Sequence, residues 1–356
     1  MKILSTLLLA SAALHAQPVY IGTSADGIYL ADFDAEKGIL TEPTRAIEYN
    51  SPGFLALHPE KPILYSIGGD NTVAAFTIGA ENSLTLLGTA PCGGNDPCHL
   101  ALDSSGRTLA VANYSSGSVT TIRLSADGKP GEIVSDMKIE GSGPNENRQK
   151  QAYTHGVYFD NANRFLFAPD LGADKTVIYK FDPATSELST NEAADFKAPP
   201  GSGPRHLAFS PDEKHAYIIN ELTNTVSVAG FGQDTGALTE IQTINTLPDD
   251  FTGNNTTAEI EVHPNGNFVY GSNRGHDSIV VYKRDPETGK LTLVQHAPCG
   301  GKAPRHFKIH PSGKWLVCGH QDSDTISVLP LDPETGMLGE PTSTVKAPKP
   351  ICILFP

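Results

Sequence analysis

The sequence predicts an all-β fold, a seven-bladed β-propeller whose N- and C-terminal strands share one blade. Three observations predict it: a strand pattern that recurs seven times, a spacing typical of four-stranded blades, and chain ends that complete each other. Glycine and proline are frequent, at 34 and 27 of 356 residues, as expected for many short strands joined by tight turns. We therefore expect one propeller domain over residues 17–356.

Each repeat opens with a short apolar strand. The first core residues of the seven copies are Leu55, Leu100, Val157, Leu207, Ile260, Phe307 and Ile353. They lie 45 to 57 residues apart, a period typical of propeller blades and not of helical or leucine-rich repeats. A turn leads to a second strand that ends in polar residues, and two more strands complete the unit.

The chain ends are predicted to build one blade together. The last copy supplies only a first strand, residues 351–355, whereas residues 19–22, 27–33 and the segment from 39 have the pattern of second, third and fourth strands. Sharing a blade would close the ring and leave no free sheet edge. The largest departure from the repeat is the polar loop 141–151, which is expected either to be disordered or to line a site.

Residues 1–16 are predicted to be a signal peptide. Lys2 provides the charged start, residues 3–14 form a short apolar run, and Ala16 is a suitable last residue before cleavage. The run is too short for a comfortable membrane span. The mature chain is therefore expected to begin near Gln17 and to be periplasmic or secreted.

The net charge of -14 argues against a nucleic-acid partner and against anionic membranes, because both require a basic face. We expect a monomer that acts on a small molecule. The five cysteines have no metal-binding spacing, and no catalytic metal or other cofactor is expected. Cys92 and Cys98 flank a glycine-rich loop and could pair in an oxidising compartment, a point that the sequence leaves open.

Blade geometry predicts which side chains meet. The first strand of a blade leaves one face of the ring and the second returns to it, so residues before the first strand and after the second surround one mouth. This mouth collects His155, Arg205, His206, Glu221, Glu259, Arg274 and His306. The histidines that precede proline on the opposite face, His58, His263 and His310, are predicted to be turn residues.

Departure from the repeat distinguishes functional candidates from blade-building residues. Glu221 and Arg274 stand where other copies have Tyr114 and Gln321, which favours a functional role, although a salt bridge between blades is the alternative. His155, Arg205, Glu221 and Arg274 are the predicted catalytic set. The predicted substrate-binding residues are Asp170, His206, Asn220, Glu259 and His306. Asp170 is equally suited to a turn cap, Asn220 to a blade cap, and His206 and His306 to hydrogen bonding at strand entry.

The catalytic set suits an anionic substrate. Arginine holds carboxylate or phosphate oxygens in a planar fork and keeps its charge. Either Glu221 or His155 could transfer a proton near neutral pH. The sequence does not decide between them.

Several segments resemble the seven-bladed propeller lactonases, a family that includes the propeller type of 6-phosphogluconolactonase and the fungal carboxymuconate cyclases. The resemblance covers nearly the whole mature chain. It is strongest in residues 169–174, 203–209, 220–226, 258–260, 272–279 and 304–307. The resemblance implies lactone ring opening, or its reverse, without a metal. In the cyclase branch the proposed active-site set is one histidine, two arginines and one glutamate, which match His155, Arg205, Glu221 and Arg274.

The predicted function is an exported lactonase for a sugar-acid lactone. Export argues against 6-phosphogluconolactone itself, which is a cytoplasmic metabolite, and favours another sugar or acid lactone. Two alternatives stay open: a lactonising cycloisomerase of the muconate type, and a non-catalytic propeller that binds ligands or partners, because fold alone does not decide function.

Overall fold

The computed structural model describes residues 16–356. The predicted signal peptide, apart from Ala16, lies outside these residues. The described chain forms seven antiparallel sheets, and six of them are built from consecutive strands. We number these six blades 1 to 6 in chain order and call the sheet shared by the two chain ends blade 7.

The strands are short, and each blade runs from the innermost to the outermost strand. Blade 1 contains Leu55–Leu57, Ile63–Gly68, Thr72–Ile78 and Leu84–Pro91. Blade 2 contains Pro97–Leu102, Thr108–Asn113, Ser118–Leu124 and Pro130–Lys138. Blade 3 contains Tyr158–Phe159, Phe165–Asp170, Lys175–Asp182 and Glu187–Thr190 with Phe196–Lys197. Blade 4 contains Pro204–Phe209, His215–Asn220, Thr225–Phe231 and Leu238–Asn245. Blade 5 contains Thr256–Val262, Phe268–Arg274, Ser278–Arg284 and Leu291–Pro298. Blade 6 contains Pro304–Ile309, Trp315–His320, Thr325–Pro330 and Ser343–Lys346. Within residues 16–356 the helical segments are two 3₁₀ turns, Ala80–Asn82 and Glu192–Ala194.

Blade 7 closes the ring as predicted. Its innermost strand, Pro350–Leu354, pairs antiparallel with Gln17–Thr23, and Ile353 lies opposite Ile21. Gly27–Asp34 is the third strand, and the fourth is split into Ile39–Leu40 and Thr44–Glu48. The innermost strand of blade 7 contacts those of blades 6 and 1, so the ring is continuous.

Seven apolar clusters form the core, one between each pair of neighbouring blades. Between blades 5 and 6, for example, Tyr270 packs in one cluster with Phe307 and Leu316, and all three are buried. Burying one such side chain contributes about 1.5–3 kcal/mol. Every blade therefore shares its core with two neighbours, which holds the inner strands, and the side chains at their ends, in fixed positions.

The predicted repeat register is correct with one irregularity. Six of the seven predicted core residues lie in innermost strands, but Val157 precedes the short strand Tyr158–Phe159. Before it, Thr154 forms an isolated bridge with Asp170, and the His155 amide donates to the Pro169 carbonyl. The interrupted strand positions His155 at the mouth.

The histidines on the opposite face are turn residues, as predicted. The Nδ1 atoms of His58, His263 and His310 each accept a hydrogen bond from a backbone amide two residues later in the turn. Cys92 and Cys98 are not paired: their thiols contact the carbonyls of Gly94 and Thr154, respectively. No helix among residues 16–356 has the length and apolar character to cross a membrane.

Candidate active site

The structure brings the four predicted catalytic side chains to one mouth of the ring. Arg205 is the second residue of the innermost strand of blade 4, and Glu221 directly follows the second strand of that blade. Arg274 ends the second strand of blade 5, and His155 precedes the innermost strand of blade 3. Strand ends on three neighbouring blades thus supply the site.

Glu221 is the centre of an arginine cluster. Its Oε2 accepts a hydrogen bond from Arg205 Nε at 3.1 Å and lies 3.1 Å from Arg274 Nη2, while its Oε1 accepts from Arg148 Nη2 at 2.6 Å. The carboxylate is only 4% exposed. Burial acts to raise the pKa of Glu221, but Arg274, Arg205 and Arg148 together lower it to about 2. The salt bridge between blades, which was the alternative to a functional role for Glu221 and Arg274, is present and lies inside the mouth.

Arg205 and Arg274 are fixed by more than the carboxylate. Arg205 is buried and donates from Nη1 to the Ala258 carbonyl at 2.7 Å. Arg274 donates from Nη2 to the Thr257 carbonyl at 2.7 Å, and its Nε has no hydrogen-bond partner among the described residues. Burial lowers the pKa of Arg274 to about 10, opposed by the charge of Glu221. Both guanidiniums are thus held in defined positions beside Glu221.

Sequence reasoning did not identify Arg148, which comes from the long loop 141–151. The loop is ordered by Gln149, whose buried side chain donates to the Leu171 carbonyl at 2.9 Å and to Asp174 Oδ1 at 2.6 Å. The Asn145 amide donates back to Gln149 Oε1 at 3.1 Å. Of the two expectations for this loop, the structure supports the one in which it lines a site.

Replacing Gln149 with alanine is expected to raise KM several-fold, because a buried hydrogen-bonded anchor is worth about 1–3 kcal/mol and the loop that carries Arg148 would loosen. The measurement is a double-mutant cycle with Arg148→Ala in steady-state lactone hydrolysis. If Gln149 acts by positioning Arg148, the double variant loses no more activity than Arg148→Ala alone. Lys150→Ala, at the exposed neighbouring position, is the control. Fully additive losses would contradict the positioning role.

Replacing Glu221 with glutamine is expected to reduce stability in a pH-dependent way. The folded-state pKa of Glu221 is depressed to about 2, so its contribution is complete above the unfolded-state pKa, about 4.3, and is lost as pH falls towards 2. The shift corresponds to about 3 kcal/mol. Urea unfolding should show a deficit of that size at pH 7 that shrinks under acid conditions. Glu287→Gln, at an exposed turn, should show no deficit, and a deficit independent of pH would contradict the assignment.

His155 lies beside the cluster as a neutral imidazole. Burial, then Arg205, His206 and Arg305, lower its pKa well below the ordinary 6.5. Its Nδ1 is 3.9 Å from Cys98 Sγ, and its ring packs edge-on against Tyr114 at 5.4 Å between centroids. Burial raises the pKa of Cys98 to about 12, so this thiol stays protonated. Of this pair, His155 is the group able to accept a proton at neutral pH.

Arg305 is a second residue that sequence reasoning missed. It occupies the position in blade 6 that Arg205 occupies in blade 4, because both follow the first proline of an innermost strand. Burial, then repulsion by Arg205 and Arg274, lowers the pKa of Arg305 to about 9. The mouth therefore gathers four arginines, three of which are paired with Glu221.

One residue further into the ring, the side chains of His206 and His306 both contact the carboxylate of Glu259. His206 Nδ1 is 3.0 Å from Glu259 Oε2, and His306 Nε2 is 3.4 Å from the same oxygen. Phe54 and His99 pack against these imidazoles, with centroids 4.0 Å apart from each other. We call these five residues the channel plug. Beyond the plug lies a cavity of about 500 Å³, lined in part by Tyr158, Glu261 and Lys308.

The predicted substrate-binding residues include Asp170 and Asn220. Their side chains form hydrogen bonds with residues of their own blades. The buried Asp170 carboxylate accepts from the Tyr153 and Ala173 amides and from Thr154 Oγ1, at 2.8–3.0 Å. Asn220 donates to Thr225 Oγ1 and Ser227 Oγ at 3.0 and 2.9 Å. These bonds match the turn-cap and blade-cap alternatives. Among residues 16–356, no group of three His, Cys, Asp or Glu side chains is arranged to hold a metal ion.

The family described as "Lactonase, 7-bladed beta-propeller" matches residues 18–355. This chain belongs to that family. The sequence is 36% identical over 345 residues to a 6-phosphogluconolactonase from Bacillus subtilis, covering 94% of this chain and 97% of the relative. It is 34% identical over 309 residues to one from Formosa agariphila, covering 81% and 85%.

Solved structures of propeller lactonases superpose closely on the chain. The periplasmic gluconolactonase PpgL from Pseudomonas aeruginosa gives a TM-score of 0.90 at 29% identity, covering 95% of this chain and 98% of that one. A putative 6-phosphogluconolactonase from Bacteroides fragilis gives 0.89 at 30% identity, covering 97% and 99%. The predicted family, its propeller fold and its enzyme class, lactone hydrolase, are confirmed.

Proposed function

We propose that the arginine cluster in the mouth hydrolyses a sugar-acid lactone without a metal. The observation that carries this proposal is the set of three guanidiniums bound to Glu221, with the neutral imidazole of His155 beside them. Four arginines outnumber Glu221 and Glu259 and leave this mouth positive on a chain with a net charge of -14. Such a site attracts anionic substrates and stabilises the negative charge that develops on a lactone carbonyl oxygen.

His155 is the proposed general base. Both oxygens of Glu221 are bound by arginines and its pKa is about 2, so Glu221 is a poor proton acceptor at neutral pH. His155 is neutral there, and its Nε2 has no hydrogen-bond partner among the described residues. We therefore assign proton transfer to His155 and the placement of the arginines to Glu221.

The proposed reaction begins when His155 Nε2 takes a proton from a water molecule that attacks the lactone carbonyl carbon. A new carbon–oxygen bond forms, and Arg274 and Arg205 stabilise the oxyanion. The bond to the ring oxygen then breaks, and the imidazolium returns its proton to that oxygen as it becomes a hydroxyl. The product carboxylic acid ionises, so each turnover releases one proton.

Of the predicted substrate-binding residues, His206, Glu259 and His306 are proposed as the floor of the site, and Asp170 and Asn220 as support for its loops. The charged start and apolar run of residues 1–16 support export, and the relative from P. aeruginosa is a periplasmic gluconolactonase. The terminal strands complete the ring within one chain, so no second copy is needed to close it, which supports a monomer.

The test is acid release from gluconolactone and 6-phosphogluconolactone by purified residues 17–356, followed in a pH-stat with spontaneous hydrolysis subtracted. We expect saturable hydrolysis of at least one lactone, at a rate that dialysis against a metal chelator leaves unchanged. Activity that chelation removes and a divalent cation restores would contradict metal-independent hydrolysis.

A further inference from the structure

A cavity of about 460 Å³ adjoins the arginine cluster at the mouth. Arg305 and Cys98 lie on its wall. The positive charge of Arg205 acts to lower the pKa of both side chains, so both lie near it. The rest of the wall comes mainly from loops of blades 7, 1 and 2, so it lies across the ring from Glu221. Its polar side chains are Ser24, Ser51, Asn71, Asn95, Asp96 and Ser115.

Arg305 differs from the other three arginines of the mouth. Arg148, Arg205 and Arg274 are all paired with Glu221. Arg305 lines the cavity, and its guanidinium has no hydrogen bond or ion pair with any residue in 16–356. A partly buried guanidinium that is left unpaired is a costly arrangement, which an anionic ligand with a matching oxygen fork would relieve.

The polar side chains on the wall of this cavity suit hydroxyl groups. Asp96 accepts from Ser115 Oγ through Oδ2 at 3.1 Å, which leaves Oδ1 free of side-chain donors among the described residues. Asn71 accepts the Asp96 amide at 2.8 Å and donates to Asn95 at 3.3 Å. Carboxylate, amide and hydroxyl groups held in place by one another can both donate to and accept from a polyol.

We propose that this cavity is a second subsite, in which Arg305 holds a terminal anionic group of the substrate and Asp96, Asn71 and Ser115 bind its hydroxylated chain. The inference rests on the proposed lactonase function, because the lactone ring occupies the arginine cluster and its substituents must extend away from it. The terminal group is a phosphate or a carboxylate, since either fits the guanidinium fork.

The test compares Arg305→Gln with the wild-type protein on three lactones. The kcat/KM for lactones with a terminal anion, 6-phosphogluconolactone or glucarolactone, should fall by about 10- to 100-fold, the value of a charged hydrogen bond. The kcat/KM for gluconolactone, which lacks that anion, should change by less than about threefold. Comparison of the two anionic lactones shows whether phosphate or carboxylate is preferred. Lys302→Gln removes an exposed charge nearby and is the matched control.

Equal losses on all three lactones, or none on the anionic ones, would overturn the role of Arg305. Asp96→Asn tests the polyol wall, and asparagine tolerates the positive φ of 57° at this position. This variant should raise KM for gluconolactone while leaving δ-valerolactone, which has no hydroxyls, unchanged; an equal effect on both would overturn the polyol assignment. A wild-type protein inactive on every lactone would instead refute the proposed function, so the two failures are distinguishable.

Discussion

Replacing His155 with glutamine is expected to lower kcat by about 100- to 10,000-fold, the usual contribution of a general base. KM should remain within about threefold, because the four arginines that attract the substrate are retained. The reason is geometric: His155 is the neutral acceptor beside the cluster, and glutamine fills its space without accepting the proton of the attacking water. Steady-state hydrolysis between about pH 5 and pH 9 measures both constants.

The pH profile sharpens this prediction. Burial and neighbouring arginines lower the pKa of His155, so the imidazole is an unprotonated base from neutral pH upwards. The wild-type kcat/KM should therefore be flat above about pH 6.5 and fall only in more acid solution, whereas the variant should lack that acid limb. His296→Gln, a half-buried histidine on an outer strand, is the control. Retention of wild-type kcat in His155→Gln would show that another group is the base.

Replacing Arg274 with alanine is expected to reduce kcat/KM by about 100- to 1,000-fold, as found when one oxyanion donor is removed from an active site. The fold should persist, because Glu221 keeps its contacts with Arg148 and Arg205. Arg274→Lys should lie between alanine and wild type, since lysine restores the charge but not the planar fork. Steady-state hydrolysis over a range of substrate concentrations and thermal unfolding measure the two effects separately.

The matched control for Arg274→Ala is Arg107→Ala, an exposed arginine in the turn between the first two strands of blade 2. It removes the same side chain from the opposite face of the ring and should leave kcat/KM unchanged. Unchanged turnover in Arg274→Ala itself would contradict the assignment of Arg274 to the reaction. A large fall in melting temperature would instead assign it to the salt bridge between blades 4 and 5.

The fold could be predicted because one strand pattern occurs seven times, so that each copy supports the assignment of the others. Seven copies of one strand pattern define the register even where one copy is irregular, as at Val157, where the strand is interrupted before Tyr158. Closure by residues 17–23 and 350–354 follows from the same count, because an incomplete last copy requires the missing strands from the other end. The substrate-facing cluster was predictable in part for the same reason, since Glu221 and Arg274 depart from the repeat.

The rest of the site could not be read from repeats. Arg148 lies in an insertion with no counterpart in other blades, and its position depends on the anchor made by Gln149 and Asp174. Arg305 did have a signal, because it shares the register of Arg205, but a recurring residue was expected to be structural. Residue types alone do not show that His155 is the base in place of Glu221, or that His206 contacts Glu259. Both points depend on which side chains of neighbouring blades lie within contact distance.

We propose that the arginine cluster and His155 together open a lactone ring. The most direct measurement is the rate of acid release from 6-phosphogluconolactone and gluconolactone by wild-type residues 17–356 beside the His155→Gln variant, at equal concentration and with spontaneous hydrolysis subtracted. We expect saturable hydrolysis by the wild-type protein and a rate at least about 100-fold lower in the variant. Equal rates in the two proteins, or a wild-type rate no faster than spontaneous hydrolysis, would contradict it.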